Sequence, residues 1–233
     1  MIQFRKQKTH KLFYGKYPYK IATTIRNGTY LRVWSLKQII LWCIGGDNDE
    51  SGIEFYHPSN KSSAADKQRL LKYCTSLQLL DTSSYKLRIE GSHVNYFFTD
   101  KDAYKKVIKV LEEFVSCVYE PEDDQVLNAI VGDKKTVVCN ELPHGKYTHK
   151  VIFKQMPLDV RNNLLEWTKR YNNDMLYVSP GTERYLSGSR YYHQDPFLYV
   201  SNGQMLMMVG LAAQGYVRRT EQFIPRSSIN TSS

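Results

Sequence analysis

The sequence predicts an α+β fold, built from antiparallel hairpins with helices packed on one face. Three observations carry that prediction. Runs of β-branched and aromatic residues flank tight-turn dipeptides at Asn27-Gly28, Gly91-Ser92 and Asn202-Gly203. Apolar residues recur at helical spacing between these runs, most clearly as Val107, Val110, Leu111, Phe114 and Val118. A G-K-Y-x-[YH]-K-[IV] pattern occurs twice, at 15–21 and 145–151.

Taken in order, residues 1–12 read as a flexible basic arm. Tyr17 to Trp34 reads as a hairpin turning at Asn27-Gly28, and Ser35 caps a short helix from Leu36 to Ile44. Ser63 and Asp66 have the spacing of a capping box, opening a helix with Leu70, Tyr73, Cys74, Leu77 and Leu80 on one side. A second hairpin spans Tyr85 to Thr99, and a long helix is expected from Asp100 to Tyr119. The acidic run Glu120-Pro121-Glu122-Asp123-Asp124 ends it, so the first unit is placed at 13–120 and a connector at 121–133.

The second unit, 134–224, opens on a strand from Thr136 to Asn140. Pro157 at a first helical turn starts a helix from Leu158 to Tyr171. A strand follows at Met175 to Val178, then a loop at 179–195. A third hairpin is expected at Phe197 to Val209 around Asn202-Gly203, then a helix at Leu211 to Phe223 and a polar tail at 225–233. Leu87-Arg-Ile-Glu-Gly-Ser and Leu198-Tyr-Val-Ser-Asn-Gly hold similar places in the two halves. With the G-K-Y pattern they point to a duplication, for which a pair of ferredoxin-like (split βαβ) units is the simplest version.

Charge is concentrated at the front. The chain carries a formal +9, and residues 1–40 hold nine Lys/Arg and no acid, the first carboxylate being Asp47. A single-sign field of this kind predicts an anionic partner. The 18 tyrosines offer flat apolar rings with polar tips, suited to base stacking. Four separated cysteines without a C-x-x-C give no zinc or dithiol pattern, and no apolar run reaches the ~20 residues needed to span a bilayer. A soluble intracellular protein, cytoplasmic or otherwise, with no membrane contact, metal or cofactor is expected. Self-association into an oligomer or larger assembly is compatible with the composition.

The expected function is binding of single-stranded or structured nucleic acid, RNA before DNA, through Lys/Arg contacts to phosphate and Tyr stacking on bases. The candidate residues are Arg5, Lys6, Lys8 and Lys11 of the arm, then Lys16, Tyr17, Tyr19 and Lys20. Lys146, Tyr147, His149 and Lys150 form the second copy, and Arg184, Tyr185, Arg190 and Tyr191 belong to the 179–195 loop. On an extended strand Tyr17 and Tyr19 share one face and Lys16 and Lys20 the other. Two rival expectations remain. One is a nuclease using clustered acids or a His144/His149 general acid–base pair, although no H-x-x-x-H or H-E-x-x-H is present. The other is an assembly subunit whose basic arm lies on a genome or an acidic partner.

Overall fold

The computed structural model describes residues 4–45, 62–171, 174–188 and 195–229. The chain divides into two compact units, Met1–Glu122 and Asp123–Ser233. Each is α+β, with one five-stranded sheet.

In the first unit, β1 (Arg5–Thr9) is followed by β2 (Tyr19–Thr24), α1 (Leu36–Gly45) and α2 (Ala64–Leu77). Next come the β3–β4 hairpin (Lys86–Glu90 and His93–Phe98), α3 (Lys101–Val110) and β5 (Val115–Pro121). The sheet order is β1-β5-β2-β4-β3; β1 runs parallel to β5, and all other neighbours are antiparallel. Tyr19 and Ile21 of β2, Val94, Tyr96 and Phe98 of β4, and Val118 of β5 point into one core with Ile39, Trp42, Leu70, Tyr73, Tyr104 and Val107 of the helices. Within that core the Tyr73 and Tyr96 hydroxyls hydrogen-bond each other at 2.5 Å, and Thr23 meets Tyr73 at 2.8 Å. Polar tips thus satisfy one another where water is excluded.

The second unit contains α4 (Asp124–Gly132), β6 (Thr136–Cys139), β7 (His149–Phe153), α5 (Leu158–Tyr171) and β8 (Leu176–Val178). It continues through α6 (Pro180–Leu186), β9 (Phe197–Val200), α7 (Gly203–Ala212), β10 (Val217–Pro225) and the single turn α8 (Arg226–Ile229). Its sheet order is β6-β10-β7-β9-β8, again with one parallel pair at the edge and antiparallel neighbours elsewhere. Counted from each unit's first strand, this is the order of the first unit. Val151, Phe153, Leu176, Leu198 and Val200 form the core with Val160, Leu164, Leu186, Met205 and Val209.

Several expected elements hold. The capping box is present: the Ser63 side chain accepts from the Asp66 N–H, and the Asp66 carboxylate accepts from the Ser63 N–H. The hairpin turning at Gly91-Ser92 forms. α5 begins and ends where the Pro157 signal and apolar spacing place it.

Others are corrected. Residues Arg5–Thr9 are not a flexible arm; they pair with β5 along their length. Asn27-Gly28 does not close a hairpin. Asn27 does adopt the left-handed conformation (φ 64°), but the chain continues into a 3-10 turn at Gly28–Arg32. Gly28 is required for another reason, since a Cβ there would meet Ile25 Cγ2 at 2.9 Å and Val94 Cγ2 at 3.1 Å. At Asn202-Gly203 the asparagine instead caps α7, accepting from the Met205 N–H. The expected helix at 211–223 is mostly strand β10, which fills a central slot between β6 and β7. The helix expected to reach Tyr119 stops at Val110, and β5 follows. The 121–133 connector contains α4, and the 179–195 stretch contains α6, capped by Ser179 with Pro180 in its first turn. The two similar hexapeptides are not equivalent: Leu87 lies on edge strand β3, and Leu198 on the inner strand β9.

Candidate nucleic-acid interface

The two G-K-Y stretches fold alike. Tyr14 and Gly15 take φ of 54° and 63°, and His144 and Gly145 take 52° and 74°. The hydrogen bonds correspond: the Gly15 N–H donates to Leu12 O and the Tyr17 N–H to Phe13 O, as the Gly145 N–H donates to Leu142 O and the Tyr147 N–H to Pro143 O. Glycine serves the second left-handed position because it has no Cβ to strain there. Each turn sends its rings onto the outer face of its sheet, the face turned away from the helical core.

This geometry changes the sequence-based site. β2 begins only at Tyr19, so the strand alternation does not extend back to Tyr17. Tyr17 lies half-buried on the outer face, 6.2 Å from the Phe97 ring. Tyr19 points the other way, buried and stacked on Tyr104 of α3 at 5.1 Å. It is enclosed in the core and offers no ring to a base. Tyr147 is also buried, between His144, Tyr177 and Tyr199. His149 pairs in register with Val200 of the core; burial lowers its pKa, and its Nδ1 meets Thr148 Oγ1 at 2.9 Å.

The cations divide as well. Register with β5 puts Arg5 on the side of Cys117 and Tyr119, the outer face, and Lys6 beside Val118 on the core side. Lys8 follows Lys6 by alternation, so the basic strand presents charge to both sides. Lys11 and Lys16 are exposed. Lys20 sits on the outer face inside a ring cluster, its Nζ 4.8 Å from the Tyr119 centroid and 5.7 Å from both Phe13 and Phe97. Burial lowers its pKa, while Glu90 opposes the shift.

Two residues absent from the sequence-based list complete the first unit's face. Lys86 and Arg88 of β3 flank Tyr14: Lys86 Nζ is 4.1 Å from its ring centroid, and Arg88 Nη1–H donates to its hydroxyl at 2.7 Å. Tyr14 is 47% exposed. It stands edge-on to Phe97, 4.9 Å away, and Phe97 itself is buried beneath the turn. The Lys-x-Arg-x-Glu alternation at 86–90 was the available signal, since it puts three charges on one side of an edge strand. Glu90 pairs with Arg88 at 2.5 Å. Among the described residues, Lys16, Lys20 and Lys86 have no ion pair.

On the second unit's outer face the same positions hold different chemistry. Tyr177 occupies the register place of Lys86, and the exposed His144 packs on it with ring centroids 4.2 Å apart. Lys150 Nζ lies 3.8 Å from the Phe197 centroid, and Glu221 stands opposite it where Tyr119 stands opposite Lys20. Glu221 is also 3.4 Å from Arg219, and Lys146 pairs with Asp174 at 2.5 Å. That pairing raises the Lys146 pKa and lowers that of Asp174.

The remaining candidates do not join either face. Tyr185 is buried in the second core, its hydroxyl accepting from the Met156 N–H at 2.8 Å. Arg184 is exposed on α6, and Arg190 and Tyr191 lie outside the described residues. His144 on the outer face and His149 on the core side are separated by the sheet, so they do not form an acid–base pair. Among the described residues no group of three or more His, Cys, Asp or Glu is arranged to hold a metal, and no helix is long and apolar enough to cross a membrane. Compared with known protein families, curated proteins and solved structures, the chain matches none.

Proposed function

We propose that the chain binds single-stranded nucleic acid on the outer face of its first unit. Tyr14 serves as the stacking ring, and Lys16, Lys20 and Lys86, which have no ion pair among the described residues, meet phosphates, while Arg88, paired with Glu90, holds the Tyr14 hydroxyl. The observation that carries this reading is the exposed Tyr14 ring held between Lys86 and Arg88. A ring in this setting gives a base its π-face, and the cations beside it lie where the phosphates of the same strand would fall. Arg5, on the opposite edge strand, adds positive charge to the same face of the sheet. The charge balance agrees: 1–122 hold 19 Lys/Arg against 13 Asp/Glu, and 123–233 hold 13 against 10. RNA is placed ahead of DNA on the general ground that unpaired RNA bases are commonly met by aromatic rings on sheet surfaces. We further read the shared strand order as two copies of one ferredoxin-like unit, each with an added edge strand parallel to its last strand.

A salt titration with single-stranded homopolymers tests the proposal. Three cations, each meeting one phosphate, give a slope of about −2.1 in log K against log salt, at about 0.7 per phosphate. Affinity then falls roughly 20-fold between about 50 and 200 mM salt. Binding that is absent, or indifferent to salt, contradicts the proposal. Parallel RNA, DNA and duplex probes decide which nucleic acid is preferred.

A further inference from the structure

The two units share a turn, a strand order and a lysine at the middle of the outer face, yet their charge environments differ at three matched places. Where Tyr119 faces Lys20, Glu221 faces Lys150. Where Lys86 lies beside the turn's first ring, Tyr177 does. And where Lys16 has no ion pair among the described residues, Lys146 is held by Asp174. A carboxylate opposite the central lysine repels an approaching phosphate, and an ion-paired lysine must give up its partner before meeting one; on the first face the carboxylate, Glu90, lies at the end of edge strand β3 and is held by Arg88.

We infer that Glu221 and Asp174 close the second unit's outer face to polyanions, so that the strand is held by the first unit alone. This rests on the function proposed above and adds its specificity determinants. Asp174 acts at the rim, almost fully exposed, by occupying Lys146. Glu221 acts from within: it is 8% exposed and lies between Lys150 and Arg219, so its negative charge is poorly screened by solvent. The second face thereby becomes an aromatic surface, His144 against Tyr177 over Tyr147 and Tyr199, on which Asp174 and Glu221 offset two of the three charges of Lys146, Lys150 and Arg219.

The test uses the full chain and a short single-stranded oligonucleotide, reading affinity, salt slope and stoichiometry. The expected outcome is one oligonucleotide per wild-type chain and unchanged affinity for K146Q/K150Q. D174N/E221Q should bind more tightly or at a second site, its salt slope steeper by about 0.7 for each phosphate newly met. Asp174→Asn alone, at an exposed position, serves if Glu221→Gln disturbs the sheet, and should give part of the gain. Weakened binding by K146Q/K150Q overturns the inference, as does a folded D174N/E221Q chain that binds no better than wild type. A wild-type chain that binds nothing contradicts the proposed function. The inference is then judged separately, by whether D174N/E221Q acquires binding.

Discussion

The outer faces of the two units are the same scaffold dressed two ways. Each has a left-handed turn laying rings on the sheet and a lysine on the middle strand. In the first unit the neighbours are Lys86, Arg88 and Tyr119; in the second they are Tyr177, Tyr199 and Glu221. Backbone geometry is therefore set by a few residues of the turn, while the charge presented beside it is set by strand residues far away in sequence. A repeated motif can specify shape twice and charge only once.

The largest expected effect separates buried from half-buried rings. Phe97→Ala removes a ring enclosed beneath the first turn and should cost about 3–5 kcal/mol. Tyr199→Ala, at the matching but half-buried place, should cost clearly less. Hydrogen exchange read separately at the β4 and β9 amides measures each unit by itself; equal losses would break the comparison.

Next comes binding. Tyr14→Leu should weaken single-strand affinity by about 1–3 kcal/mol, the worth of one stacked base, with little change in stability because the ring is half exposed. His144→Leu, at the matching turn position, should leave affinity unchanged. Fluorescence anisotropy of a labelled oligonucleotide distinguishes the two.

A smaller effect tests the likeness rather than the difference. Gly15→Ala and Gly145→Ala each force a side chain into the left-handed region, where space is open in both cases. Each should cost about 1–2 kcal/mol, and by a similar amount in chemical denaturation.

The smallest effect concerns pH. Tyr19 and His149 occupy the same place in the repeated pattern, and only the histidine titrates near neutrality. Burial lowers the His149 pKa below its ordinary 6.5 in the folded state. The unfolded chain therefore takes up the proton first, and stability is lost as pH falls from about 6.5 through the folded value. The loss should appear in the second unit's exchange rates and vanish in His149→Gln.

What could be read from the sequence was what short-range chemistry decides. The Ser63/Asp66 box, the hairpin at Gly91-Ser92 and the Pro157-led helix are each specified within a few residues, and each is where the sequence places it. Failures came where distant pairing wins. Val217–Pro225 has helix-compatible residues nearby but becomes a strand because β6 and β7 hydrogen-bond it from both sides. Asn-Gly pairs favour hairpin turns, yet Asn202 caps α7, and Gly28 answers to the Val94 side chain in β4. The site was half legible. Composition points to cations beside tyrosines, but β2 begins only at Tyr19 after a turn, so the alternation that would pair Tyr17 with Tyr19 does not hold and Tyr14 takes the exposed place. Lys86 and Arg88 join the candidate site only through contacts with Tyr14 more than 70 residues away in sequence.

The most direct test is a side-chain and amide NMR map of the full chain titrated with a short single-stranded oligonucleotide at low salt. Signals of Tyr14, Lys16, Lys86 and Arg88 should shift together and saturate at one equivalent, while those of His144, Tyr177 and Lys150 stay in place. Shifts confined to His144, Tyr177 and Lys150, or no shifts at all, would contradict the proposed function.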